Sequence, residues 1–239
     1  MYSNDRLSNC DIINNATIMR SLDLLAEPYC IRTAEGLFLY ANMAMAKLSG
    51  LRSPHIMMER PDHEIPSLLF DNQEDLEAWR QQDRTVSETR KPLTMLEIHP
   101  SAVDSPYLCR KVPFYSHNDE CIGTFCTIKY LEVLTPNDFI KGKLPGSLLL
   151  NKPDDFFTEK QCEIIFFRLQ GVSNKEISQI LGLSPRTVEN RIAQMYTKAR
   201  VNHLDDFRQF CESRNLHRYL PKRVLSERKM ATHEEIDVS

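Results

Sequence analysis

Glycine is scarce in this 239-residue sequence, with seven residues, and tryptophan occurs once. No GxGxxG or GxxxxGK[ST] is present, so the glycine-rich supports of nucleotide binding are missing. HExxH and GxSxG are missing too, which removes the usual bases of zinc-protease and serine-hydrolase chemistry. No apolar run approaches the roughly 20 residues that span a bilayer. The polar opening MYSNDRLSNCDIINN has no apolar core of the signal-peptide kind. The expectation is a cytoplasmic protein without a membrane partner. Disulfide chemistry also lacks support. The seven cysteines (Cys10, Cys30, Cys109, Cys121, Cys126, Cys162 and Cys211) are scattered singly, with no CxxC. Cys121 and Cys126 are closest, but on an extended strand their odd offset sends them to opposite faces, against a shared metal. Structural thiols, no metal and no enzyme are the expectation.

What is present fits a folded protein of two small domains. The sequence is 41% hydrophobic and 26% charged. Its net charge of −3 hides an asymmetry: residues 1–150 carry 15 Lys+Arg against 20 Asp+Glu, while residues 151–223 carry 13 against 9. Local positive charge is what phosphate neutralisation requires.

The basic segment holds three successive helix starts. Thr158 and Gln161 form a capping box, followed by an apolar stripe at Cys162, Ile165, Phe166 and Leu169 and a stop at Gly171. Ser173 and Glu176 form a second box, before a helix expected to bury Ile177, Ile180 and Leu181 and to stop at Gly182. Ser184 caps the third helix, with Pro185 in its first turn. Only Gly182, Leu183 and Ser184 separate the second and third helices, the tight turn of a helix-turn-helix. On the third helix, about Pro185 to Arg200, Val188, Ile192, Met195, Tyr196 and Ala199 share one face. Arg186, Asn190, Ala193, Gln194 and Thr197 lie opposite, with Thr187 and Glu189 at the margins. Asn and Gln pair with adenine, Arg with guanine, and a small Ala admits close approach to bases. A fourth helix from Asn202 aligns Leu204, Phe207, Phe210 and Cys211, either as a lid or as a contact between two copies.

The run FTEKQCEIIFFRLQGVSNKEISQILGLSPRTVENRIAQMYTKARV resembles the LuxR/GerE family of helix-turn-helix domains. Matching positions include Thr158, Glu163, Gly171, Asn174-Lys175-Glu176-Ile177, Leu181, Ser184, Thr187-Val188, Ile192, Lys198 and Val201. The resemblance implies a homodimer on double-stranded DNA, with the third helix in the major groove. Arg186, Asn190 and Gln194, with Glu189, are the candidate base readers. Lys175, Arg191, Lys198 and Arg200 are the candidate phosphate contacts, and Ser184, Thr187 and Ala193 complete the interface. Two positions depart from the family: a usual Lys is Glu189 and a usual His is Arg191. A carboxylate near phosphates repels them unless it accepts from cytosine or an adjacent Arg.

Residues 16–132 alternate differently. A helix around Ala16–Ala26 precedes short strands at 29–32 and 37–40 around a Gly36 turn. A helix at Met43–Leu48 follows, then an irregular, Pro-rich stretch over 51–71 and a polar helix over Asn72–Arg84. Strands at Leu93–His99, Tyr107–Tyr115 and Cys121–Leu131 close the segment, the last two joined by the hairpin loop 116–120. This order, with AEGLFLYAN and KVPFYSHNDECIGTFCTIKYLEV, resembles a PAS sensor domain. The resemblance implies dimerisation and, in some members, a haem, flavin or metabolite. The Asn-Cys-Arg-Phe run of flavin-adduct sensors is missing, and His55, His63 and His99 are the haem-ligand candidates. The default expectation is an apolar pocket with no cofactor and an unidentified small ligand as a candidate.

The expected architecture is an α+β PAS-like domain with a five-stranded antiparallel sheet and helices (16–132), a linker (133–156) and an all-α four-helix helix-turn-helix domain (157–221). A frayed tail (222–239) follows. Leu148-Leu149-Leu150 in the linker can dock on a neighbour, and Lys222 and Arg223 lie within reach of phosphate. The layout is also similar to plasmid conjugative-transfer activators of the TraJ type. The function expected is a dimeric, sequence-specific transcription regulator, an activator ahead of a repressor, with RNA polymerase as a candidate partner. Three rivals stand beside it: a protein–protein adaptor, a cofactor-bearing sensor, and a phosphorylated response regulator, which lacks a convincing acidic set.

Overall fold

Helix α1 (Asn15–Leu22) leads into strands β1 (Tyr29–Arg32) and β2 (Phe38–Ala41), then helix α2 (Met43–Leu48). Three single-turn 3-10 helices carry the Pro-rich stretch, before α3 (Gln73–Thr89). Strands β3 (Leu93–Glu97), β4 (Tyr107–Tyr115) and β5 (Cys121–Tyr130) follow. The structure, a computed structural model, describes residues 15–116, 118–133, 140, 142 and 144–226. The five strands form one sheet in the order β2-β1-β5-β4-β3. β1 pairs antiparallel with β2 and β5, and β3 pairs antiparallel with β4. The expected α+β sheet with helices is therefore what forms.

Local chemistry explains the turns. The buried Asn42 caps α2 by accepting from the amide of Met45 at 2.9 Å, and also accepts from the amide of Tyr29 at 3.0 Å. Its side-chain NH2 donates to the carbonyls of Leu22 and Glu27. One amide thus ties the end of α1 and the start of β1 to α2, with every group satisfied. Gly123 is required by close approach, because a β-carbon there would collide with the carbonyl oxygen of Arg32 on β1. Helix α3 runs past the expected end near Arg84. Val86 is fully buried, and Arg90 adopts the left-handed conformation that ends the helix.

A charged cluster fixes α3 to the sheet. Asp83 accepts from the Lys111 ammonium at 2.7 Å and from the Thr124 hydroxyl at 3.0 Å, and its second oxygen lies 3.4 Å from Arg32 Nε. Lys111 also donates to the carbonyl of Trp79 at 3.1 Å. Arg32 and Arg80 both bind Asp62, at 2.9 and 2.6 Å. Burial pushes the Asp83 carboxyl up, while Arg32 and Lys111 oppose that shift.

The chain divides into two compact units, and among the described residues the second holds Asp104–Pro106 and those from Tyr130 onward. Here the linker holds more structure than expected. β6 (Glu132–Val133) pairs antiparallel with β7 (Gly146–Ser147), and the amide of Leu149 donates to the carbonyl of Arg218. Leu150 is fully buried, so the leucine run does dock. Four helices follow: α4 (Glu159–Leu169), α5 (Asn174–Leu181), α6 (Pro185–Ala199) and α7 (Leu204–Ser213). Their core joins Phe157, Ile164, Ile165, Ile177, Val188, Met195 and Phe207, with Leu216 and Tyr219 beyond α7. Two expectations need correction. Ile180 is 39% exposed because the turn of α5 that carries it faces outward, and Ile164, left out of the α4 stripe, is fully buried. The tail begins with a short helix, α8 (Lys222–Ser226), and the rest of the expected frayed tail lies outside the described residues. Among the described residues no helix is long and apolar enough to cross a membrane.

Two stability outcomes follow from these contacts. Ser173→Ala removes the cap of α5 and should cost about 1 kcal/mol in denaturant unfolding of the C-terminal unit. Asp83→Ala strands the buried Lys111 ammonium, leaves Arg32 with Asp62 alone, and should cost the N-terminal unit about 3–5 kcal/mol. Similar losses for the two variants would contradict this ranking.

Candidate nucleic-acid interface and sensor cavity

The interface is built from helix ends. In α4 the Thr158 hydroxyl accepts from the amide of Gln161, whose side chain accepts from the amide of Thr158 at 3.0 Å. In α5 the same reciprocal pair joins Ser173 and Glu176. Hydrogen bonds from the Ser173 hydroxyl, then from its amide, hold the Glu176 carboxyl below its ordinary range. Gly182 ends α5 in the left-handed conformation (φ 64°), and the amide of Leu183 returns to the carbonyl of Ser178 at 2.8 Å. Two residues later Ser184 accepts from the amide of Thr187 at 3.1 Å and starts α6. These local bonds fix the direction in which α6 leaves α5.

On α6, Val188, Met195 and Ala199 are buried, while Ile192 and Tyr196 are half-buried. Opposite them Arg186, Glu189, Asn190, Ala193, Gln194 and Thr197 are exposed. Ser184 and Lys175 are exposed at the neighbouring helix starts, and Arg200 is exposed as the left-handed C-cap. Thr187 and Arg191 are half-buried. The structure therefore brings the candidate set to α6 and the ends flanking it. Lys198 differs in one respect. Its ammonium donates to the carbonyl of Phe156 and lies 4.8 and 5.7 Å from the ring centres of Phe156 and Phe157. A contact across 42 residues of sequence had no signal in the helix pattern. The basic pair expected near the tail also has a local partner: Arg223 Nε stands 3.9 Å from Glu163.

The N-terminal sheet encloses a separate small cavity of about 30 Å³. Its wall includes Phe70, Trp79 and Tyr107, with Glu97 and Lys111 as polar groups. The buried His99 places Nε2 2.9 Å from Glu97 and Nδ1 3.2 Å from Asp75. Both ring nitrogens thus face carboxylates, which leaves His99 poorly suited to ligate a haem iron. His55 and His63 are exposed and do not line the cavity. Burial pushes the Glu97 carboxyl up, but hydrogen bonds with His99, Trp79 and Gln82 outweigh it and leave the group below its ordinary range.

A folded-state value below the unfolded one means that this interaction contributes above the ordinary Glu range and is lost as pH falls through the folded value. The N-terminal unit should therefore lose stability on acidification below about pH 4, the ordinary Glu value. Glu97→Gln should flatten that slope in unfolding measured against pH, and an unchanged slope would contradict the assignment. Asp83, shifted upward, works in the opposite sense, so the difference between the two proteins is the quantity to read.

Comparisons with known proteins agree with this division. Residues 155–209 match the family described as bacterial regulatory proteins, luxR family. Residues 22–129 match the PAS fold. Among solved structures, the chain resembles VqmA of Vibrio cholera in a ligand–DNA complex, with 21% identity over 93% of this chain and 98% of that chain and a TM-score of 0.64. It also resembles a phage VqmA in complex with DPO, with 22% identity over 90% of this chain and 94% of that chain and a TM-score of 0.56. At such identity the likeness is one of fold. A search of curated proteins finds no match. The luxR family is regulatory rather than catalytic, and this chain joins a DNA-binding domain of that family, at residues 155–209, to a PAS fold at residues 22–129.

Proposed function

We propose that the chain is a homodimeric, sequence-reading transcription activator of the cytoplasm, tuned by a small ligand in the N-terminal cavity. The observation that carries this reading is the two-faced α6: Val188, Met195 and Ala199 are buried while Arg186, Asn190 and Gln194 stand in solvent. Side chains of these types on an exposed helix read base edges in the major groove. Arg186, Asn190, Gln194 and Glu189 read bases in this proposal, while Lys175, Arg191, Lys198 and Arg200 hold phosphates. Ser184, Thr187 and Ala193 line the same approach. A two-fold site requires paired readers about 34 Å apart, which favours a dimer. The domain limits in this reading are 16–132, 133–156, 157–221 and 222–239.

The cavity marks where a ligand would sit between the sheet and α3, and at about 30 Å³ it has to widen to admit a metabolite. The VqmA structures of similar fold were solved with a ligand and DNA in one case and with DPO in the other. RNA polymerase is the proposed partner in activation. In vitro transcription from a bound promoter should rise with added protein, and a fall would reverse the direction proposed.

Selection of duplexes from a random pool by the full-length protein should return a two-fold symmetric motif. Asn190→Ala should weaken binding to that motif by about 1–3 kcal/mol and relax preference at one base pair. An equal loss on every sequence would contradict its role as a reader. Lys198→Ala should weaken all duplexes alike and lower the salt dependence. It should also destabilise the domain, because its ammonium holds the carbonyl of Phe156.

A further inference from the structure

The bare side of α6 carries a single acid. Arg186, Asn190, Ala193, Gln194 and Thr197 are exposed there, and Glu189 is exposed beside them. Among the described residues Glu189 makes no hydrogen bond and no ion pair. Neither does the Arg186 side chain, although residues three apart on a helix are within reach of each other. Several other acids of the C-terminal unit are engaged. Glu176 accepts from the amide of Ser173, and Asp154 pairs with Arg214 at 2.8 Å. Asp155 pairs with Lys152 at 3.0 Å, and Glu163 stands 3.9 Å from Arg223. The helix itself does not call for a carboxylate at this point. Ser184 is the N-cap, so Glu189 lies beyond the first turn, where the attraction of a helix N-terminus for negative charge has faded.

On DNA such a group is at a disadvantage. Phosphates repel it, which lowers the affinity for every duplex alike. A carboxylate can only accept, and the base edges of the major groove offer two kinds of donor: the N4 amino group of cytosine and the N6 amino group of adenine. Adenine presents its N7 acceptor beside that donor, so the second carboxylate oxygen meets a lone pair. Cytosine has a C–H there. A carboxylate on this helix therefore favours cytosine and penalises a site that lacks it, which is discrimination by repulsion.

We propose that Glu189 is the specificity filter of the interface: it accepts from one cytosine N4 amino group in each half-site and weakens binding to duplexes that offer none. This role rests on the entry of α6 into the major groove proposed above, and it names the base that the acid selects. Two copies on a two-fold site apply the filter twice, once in each half-site. Removing the carboxylate has opposite effects on two kinds of duplex. Non-cognate DNA gains affinity because a repulsive charge is gone, and the selected site loses its advantage over it.

The test compares the full-length protein with Glu189→Gln, which keeps the shape of the side chain and removes its charge. The position is exposed, so the fold is retained. Each protein selects duplexes from a random pool, and both are then measured on the wild-type motif and on a scrambled duplex. The wild-type motif should hold a C·G pair at one position of each half-site where the variant shows no cytosine preference, with the other positions unchanged. The ratio of cognate to scrambled affinity should fall about tenfold or more per half-site, and the variant should bind the scrambled duplex more tightly. N4-methylcytosine at that position, with a methyl group in place of the major-groove N–H, should weaken the wild-type protein more than the variant. The same motif from both proteins, no gain on the scrambled duplex, or an equal penalty from N4-methylation would overturn the filter while leaving α6 a reader. No enriched motif from either protein would contradict the major-groove reading itself, and the filter with it.

Discussion

Asp83 is the contact on which the N-terminal unit turns. It projects from α3 and is met by Arg32 of β1, Lys111 of β4 and Thr124 of β5, so one carboxylate gathers three strands under one helix. A buried ion is costly unless each of its partners is present. That constraint fixes where α3 crosses the sheet and places Trp79, one turn earlier, against the cavity. Asp62 extends the cluster by pairing with both Arg32 and Arg80.

The C-terminal unit depends on local bonds. Two reciprocal capping boxes, a left-handed Gly182 and the Ser184 cap set the ends of successive helices within a few residues of one another. Packing then does the rest: Ile177, Val188 and Met195 close the core and leave the opposite side of α6 bare. Phe156 and Phe157 anchor the entry to this domain, where Lys198 and Arg214 lie over the Phe156 ring and tie the chain before α4 to α6 and the end of α7. Burial decides which residues of α6 are available, and their chemistry decides what they can recognise.

This difference between units explains what the sequence revealed. Helix boundaries at Thr158, Ser173 and Ser184 were legible because caps act across three residues, and the strands at 29–32 and 107–115 were legible from apolar runs bounded by turn residues. The exposed face of α6 followed from its wheel. Ile180 broke the pattern because periodicity indicates a face without saying how much of it a neighbour covers. The grip of Lys198 on Phe156 and the pairing of β6 with β7 rest on contacts between distant residues. The thiols of Cys30, Cys109 and Cys126 converge only through the strand order β1-β5-β4. Spacing along the chain correctly separated Cys121 from Cys126, yet it carried no sign of that cluster.

The central claim is that the bare side of α6 enters the major groove. Methylation interference on a bound duplex addresses it directly, since dimethyl sulfate marks guanine N7 in the major groove and adenine N3 in the minor groove. The account predicts interference from guanine N7 at two clusters about one helical turn, ~34 Å, apart. Interference confined to adenine N3, or binding indifferent to methylation in either groove, would contradict it.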